Sequence, residues 1–253
     1  MTSLGIQLHT LRSLLALDFS GTLGRLAGMG YTEVEFAGYY DHSAAELRSV
    51  LQECGLAAPS AHISRQQLDK ELGPTLEMAF ELGHRYLVLP WLAPQERETL
   101  DDYRALADFL NHTGDRCRDA GITVAYHNHD FEFLQLDDGL PYEILLERTE
   151  PALVSMELDL YWLHTVGGRP EDYFARYPGR FELCHLKDAD EAGDMTEVGE
   201  GVIDFPVLIP AAQAAGMCHF FVEHDQPRDP LASVECSFTY LDQLSTGLSS
   251  EVR

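Results

Sequence analysis

Residues Gly121–Phe133 read GITVAYHNHDFEF. The first half is a buried strand: Ile122, Val124 and Tyr126 alternate with smaller residues behind Gly121, which ends the helix before it. The second half gathers two imidazoles, an aspartate and a glutamate into the six residues from His127 to Glu132. A buried polar group without a partner is costly. Polarity concentrated at the carboxyl end of an apolar strand therefore marks a site. Three later apolar strands end the same way, at Asp159, His185 and Glu223.

Outward from this stretch one pattern repeats. An amphipathic helical segment ends in Gly, a short apolar strand follows, and polar residues close it. Strands are expected at Leu4–Leu8, Glu33–Phe36, Ala57–His62, Tyr86–Leu89, the stretch before His127, Leu153–Asp159, Phe181–His185 and His219–Glu223. Helices are expected at Leu23–Met29, Ala44–Cys54, a segment ending at Leu82, Leu100–Asp119, Pro141–Arg148, Pro170–Tyr177, Pro206–Ala215 and Pro230–Leu244. Ser43 with Glu46 forms a capping box, and Pro141 opens its helix in the first turn. The tail Ser245–Arg253 is polar and expected to fray.

Eight units of apolar strand and helix imply a parallel sheet covered on both faces. Eight in 253 residues favour a closed (β/α)8 barrel, one domain over 1–253, rather than an open doubly wound sheet. The open sheet would want a glycine-rich phosphate loop after the first strand, and neither GxGxxG nor a P-loop occurs there. The VGEG run at Val198–Gly201 comes late and follows no clear strand.

Composition narrows the function. The net charge of −25, from 42 acids against 17 bases, repels nucleic acid and anionic membranes and attracts divalent cations. No apolar run is long enough to span a bilayer, and MTSLGIQLHTLRS lacks the pattern of a signal peptide, so a cytoplasmic enzyme is expected. Five scattered cysteines form neither a disulfide framework nor a zinc-finger spacing, and most are expected to be small buried thiols.

Catalytic groups of such barrels sit at the carboxyl ends of the strands. Those ends hold Gln7 and His9, Glu35, His62, Trp91, the HNHDFE cluster, Glu157 and Asp159, His185 with Lys187 and Asp188, and Glu223 with His224 and Asp225. One such histidine is usually structural, whereas several converging on one rim point to a site. Mixed Glu, Asp and His ligation suits Mn²⁺, Mg²⁺, Co²⁺ or Zn²⁺.

The runs GIQLHTLR, EVEFAGYYDH, SAHIS, YHNHDFEF, MELDLYWLHTVGG, HLKD, VGEGVIDF and FVEHD resemble those of the xylose isomerase-like TIM barrels, the sugar phosphate isomerase/epimerase superfamily, in its HNHxxEF branch. The resemblance spans nearly the whole chain. It implies one divalent metal bound from strands five to eight, with Asp159, His185 and Glu223 as the last three ligands, and the oxygen-rich set makes Mn²⁺ the first expectation. Where better-known members end strand five in Glu, this chain has His127. Either His127 takes that place, or Glu132 folds back from the following turn. Glu132 is preferred because it keeps three carboxylates on the metal. It lies five residues beyond His127, so it arrives only if the chain turns sharply after His129.

The resemblance further implies an acid–base pair of metal-bound carboxylates, Glu223 and Glu132, that moves a proton next to a carbonyl. Where the pair is broken a histidine is the base, with His127, His129 and His62 as candidates, and Lys187 neutralises a developing enolate, holds a substrate hydroxyl, or pairs with Asp188 or Glu182. Gln7, Glu35, His62, Trp91, His129 and Trp162 are the expected substrate contacts. The reading is a sugar or keto-polyol isomerase or epimerase. An inosose or keto-sugar dehydratase shares its first step and is the alternative. A DNA-repair endonuclease on this barrel is opposed by the charge, and a non-catalytic binding barrel by the intact Asp159, His185 and Glu223. No phosphate-binding cationic cluster is evident at the strand ends, so the substrate is expected to be non-phosphorylated. The chain gives no reading of oligomeric state, and a homo-oligomer is compatible with it.

Overall fold

Short apolar strands alternating with capped helices set the architecture. The computed structural model describes residues 3–251, with side chains through residue 246. Eight parallel strands close into one barrel: β1 (Gly5–Gln7), β2 (Glu33–Phe36), β3 (Ala57–His62), β4 (Tyr86–Leu89), β5 (Thr123–His127), β6 (Val154–Asp159), β7 (Phe181–Leu186) and β8 (His219–Val222). Sequential strands are neighbours throughout, and β8 closes on β1 with Gly5 beside Phe221. The fold is a single (β/α)8 barrel, as expected.

Period-two alternation sorts the side chains. Tyr86, Val88, Ala125, Leu183 and Phe221 point inward and pack as a small separate core in the barrel interior. Their neighbours Leu87, Leu89, Val124, Tyr126, Leu158 and Cys184 point outward into the larger core beneath the helices. Gly5 is the small member of the inner layer: a Cβ there would stand 2.4 Å from the Phe221 ring.

The capping box at Ser43–Glu46 forms, and Gly30, Gly55, Gly83, Gly121 and Gly216 all take positive φ at the helix ends or just beyond them. Three features differ from expectation. Asp159 caps an additional helix, Leu160–Thr165. An antiparallel pair, Asp188–Ala189 with Met195–Thr196, interrupts the connection after β7. The last helix continues past Leu244 to Glu251, where a frayed tail was expected, and residues 252–253 lie outside the described range. Only Cys117 and Cys184 of the cysteines are buried, fewer than expected; Cys54 and Cys236 are half-buried and Cys218 is exposed.

Candidate active site

The inward positions above the inner core are polar. They carry Gln7, Glu35, His62, His127, Glu157, Asp159, His185 and, just past β8, Glu223. Two overlapping groups of ligand-capable atoms result, each within 4.8 Å: His62, His127, Glu157 and His185 below, and His127, Asp159, His185 and Glu223 at the rim. In the rim group His185 Nδ1 lies 2.9 Å from Glu223 Oε2 and 3.9 Å from Asp159 Oδ2. His127 Nε2 lies 3.9 Å from the same Asp159 oxygen. Asp159 Oδ1 accepts from Trp162 N at 3.0 Å, capping the extra helix, while buried Oδ2 faces the Lys187 ammonium at 3.1 Å.

Burial and mutual charge set the protonation of the cluster. Burial disfavours charge on His185, but Glu157 and Glu223 outweigh it and hold the imidazole well above its usual range. His62 is likewise carried to about 9 by Glu35 and Glu157 against burial. His127 goes the other way: burial, then the neighbouring cations, keep it neutral. Burial and Lys187 lower His129 to about 3. Burial raises Asp159 to about 6, although Lys187 and His185 pull it down. Glu223 resists burial through Lys187 and His185 and stays ionised.

Glu132 does not join this group. The chain does turn sharply after His129, through a single 3-10 turn at Phe131–Phe133. The carboxylate then ends on the helix side of β5, accepting from Tyr126 Oη at 2.5 Å and from His129 N at 2.8 Å. Tyr103 and Tyr142 stand near it. Period two sends Tyr126 outward, and the turn delivers Glu132 to the same face, away from Asp159 and His185. The fourth side chain of the rim group is instead His127, the other possibility that the sequence left open.

Asn128 follows the last residue of β5. It is fully buried and clamps the next strand, its Oδ1 accepting from Asp159 N at 3.0 Å. This role in placing Asp159 had no signal beyond the residue's place within HNH. Lys187 pairs with neither Asp188 nor Glu182: its ammonium lies 2.7 Å from Glu223, 2.8 Å from Asp225 and 3.1 Å from Asp159. Asp188 instead accepts four backbone N–H groups, from Ala189, Gly199, Gly201 and Ile203. The VGEG run is thus a loop wrapped around a carboxylate. A Cβ on Gly201 would meet Ala189 O at 2.2 Å.

A cavity of about 440 Å³ opens over the rim, lined by His9, Gly38, His62, Ser64, Gln67, Trp91, His127, His129, Lys187, Glu223 and Asp225 among others. Of the expected substrate contacts, His62, Trp91 and His129 face it. Gln7 and Glu35 do not: both are fully buried beneath the imidazoles, with Gln7 Nε2 donating to Glu35 Oε1 at 2.7 Å. Trp162 stands behind His129, ring to ring at 5.5 Å, with Lys187 Nζ 5.6 Å from its centre. Arg97 stacks on Phe131 at 3.4 Å and lies 5.7 Å from the ring of Trp91, which lines the cavity. His9, Ser64, Gln67 and Asp225 complete the wall. Of these, sequence reading singled out His9 and Asp225 and passed over the two capping residues.

Several known proteins are similar to this chain. An inosose dehydratase of Geobacillus thermodenitrificans is 25% identical over 244 residues, covering 81% of each chain. A crystal structure of a sugar phosphate isomerase/epimerase from Parabacteroides distasonis superposes with a TM-score of 0.81 and 28% identity, over 94% of this chain and 93% of that one. The IolI protein with a bound zinc atom shares the fold at a TM-score of 0.75 and 17% identity, covering 98% of both chains. The sequence profile of the xylose isomerase-like TIM barrels matches residues 23–243. Its relatives over most of its length are dehydratases and sugar isomerases or epimerases, and the chain is an enzyme that belongs to the xylose isomerase-like TIM barrel family.

Proposed function

We propose that the protein is a divalent-metal-dependent isomerase or epimerase that removes a proton next to the carbonyl of a sugar or keto-polyol. His127 Nε2, Asp159, His185 Nδ1 and Glu223 would hold the ion. The observation that carries this reading is the convergence of those four buried side chains beneath the cavity, their ligand-capable atoms all within 4.8 Å of one another. Two imidazoles and two carboxylates fit a borderline divalent cation. This set is richer in nitrogen than the three-carboxylate set expected from sequence. The shift favours Zn²⁺ or Co²⁺ beside the Mn²⁺ first expected, and the zinc of the IolI protein structure is consistent with it.

When bound, such an ion polarises a carbonyl and stabilises negative charge on its oxygen. The chain's own groups supply the rest. Glu223 is ionised, faces the cavity and is placed to take the proton. Burial opposes charge on Lys187, yet Asp159, Glu223 and Asp225 hold it as an ammonium, a donor to a substrate oxygen. His62, held as an imidazolium, is the second donor. His129, backed by Trp162, presents an aromatic face to a sugar ring. Lys187 is already committed to three carboxylates, which supports a non-phosphorylated substrate.

Dehydration of an inosose or keto-sugar is the second reading, favoured by the name of the Geobacillus relative and by the two cationic donors, either of which could protonate a departing hydroxyl. A panel of sugar ketones and inososes in D₂O, with the protein loaded in turn with Mn²⁺, Zn²⁺ and Co²⁺, tests both. Deuterium uptake without loss of water identifies an isomerase or epimerase, and loss of water a dehydratase. Full activity after exhaustive chelation, with no metal detected, would end the metal reading.

A further inference from the structure

His127 and His185 each span two levels of the site. His185 turns Nδ1 to Glu223 and Asp159 at the rim, while Nε2 meets Glu35 Oε1 below at 2.7 Å. His127 is oriented the opposite way: Nε2 looks to Asp159, and Nδ1, which makes no hydrogen bond, has Glu157 Oε2 below it at 3.3 Å, the same distance as that oxygen keeps from His185 Nε2. We propose that Glu35 and Glu157 are positioning residues for the metal, holding the inner nitrogens of His185 and His127 so that one Nδ1 and one Nε2 face the rim. The inference rests on the metal reading above.

The physical argument is one of tautomers. An imidazole that ligates through one nitrogen carries its proton on the other, and a buried N–H needs an acceptor. Here the two rings must adopt opposite tautomers, which nothing in the rings themselves decides. The inner carboxylates do decide it, since each can only accept. They are fixed in turn. Glu35 also accepts from Gln7 Nε2 and Ser60 Oγ, and His62 Nε2 lies 3.1 Å from Glu35 and 2.8 Å from Glu157, joining the pair. Glu157 precedes Asp159 by two residues, so β6 presents both on one face, one level apart. The rival arrangement puts the ion among the inner atoms themselves. There His62 Nε2 already lies 3.1 Å from Glu35 and 2.8 Å from Glu157, and His185 Nε2 lies 2.7 Å from Glu35.

The test is metal titration of the full-length, metal-free protein with Zn²⁺ and Co²⁺ against a competing chelator. Glu35→Gln and Glu157→Gln are each expected to weaken affinity by about 10–100-fold. The metal-free unfolding midpoint should be kept and the visible spectrum of the Co²⁺ form shifted. In a His127→Ala background, Glu157→Gln should lose most of its effect, because it acts through that ring; a merely structural role would leave the effects additive. Nitrogen NMR of labelled histidines in the wild-type zinc form gives an answer independent of whether the variants fold. It should show the proton on His185 Nε2 and on His127 Nδ1. The same tautomer on both rings, or unchanged affinity in both Gln variants while Asp159→Asn abolishes binding, overturns this inference and leaves the metal reading standing. Binding kept in Asp159→Asn but lost in Glu157→Gln would put the ion in the inner group and overturn it as well. A wild-type protein that binds no ion removes both.

Discussion

The two ends of the barrel use the same residue types to opposite effect. At the foot, where strands begin, His219 Nδ1 meets Glu33 Oε2 at 2.8 Å and Tyr86 Oη donates a hydrogen bond to Glu182 Oε2. Each acid has one partner, and none of these four residues has a buried side-chain atom without a hydrogen bond. At the mouth, acids and imidazoles converge on shared partners. Five of the eight buried side-chain atoms that lack a hydrogen bond among the described residues lie there, on His127, His129, Glu157, Asp159 and Trp162. Paired groups hold a fold; groups left short of partners await a ligand. The difference separates a structural polar cluster from a candidate site without reference to any relative.

The largest expected effect breaks the mouth. Asp159→Asn should weaken metal affinity by more than about 100-fold, beyond the range for outer residues. The metal-free protein should melt no earlier than wild type, since a buried carboxyl raised to about 6 is a cost to the fold when ionised. Chelator competition and thermal melts check the two halves. Next, His127→Ala should cost at least about tenfold in metal affinity, whereas Glu132→Gln should leave it within about threefold, below the outer-shell range. Metal retained in the first variant and lost in the second would restore Glu132 as ligand.

The third prediction concerns pH. Burial lifts Glu132 from 4.5 to about 7. In that window the folded state holds a proton that the unfolded state has released. Stability from this group is therefore full below about pH 4.5 and lost as pH rises through about 7, by roughly 3 kcal/mol. Denaturant titrations across that range should show a flatter profile for Glu132→Gln than for wild type; equal slopes would refute the assignment. The smallest effect is at the foot. Glu33, against burial, helps carry His219 to about 9, so their pairing stabilises below about pH 6.5 and fades as pH rises through 9. His219→Ala should remove under about 2 kcal/mol of stability and leave metal affinity unchanged. A loss of metal binding there would dissolve the contrast between the two ends.

Much of the fold was legible because apolar runs bounded by Gly or Pro leave little choice. Ala44–Cys54, Ala57–His62, Tyr86–Leu89 and Pro141–Arg148 fall where the sequence put them. The extra helix at Leu160–Thr165 was missed because its cap, Asp159, was read only for its chemistry. The antiparallel pair was missed because two-residue strands carry no periodicity. At the site, alternation brought His127, Glu157, Asp159 and His185 to the same interior. The same reasoning could not foresee where Glu132 would end, because a side chain's direction after a turn depends on the turn's torsions. Nor could it rank depth: Gln7 and Glu35 sit on strand ends as expected, yet one level too low to reach the cavity.

The knot at Asp188 bears on how such a barrel can diverge. One carboxylate pins residues 189, 199, 201 and 203, so the ends of the intervening excursion are fixed whatever lies between. Its tip, Glu191–Asp194, is exposed, while Tyr161 Oη donates to Gly193 O and Asp225 N to Met195 Sδ, draping the excursion beside the mouth. With closure already secured, doubling the length of the tip would cost only about 0.6 kcal/mol. Insertions there would reshape the approach to the cavity without disturbing a strand, which makes this connection an inexpensive place for a lineage to change what it admits.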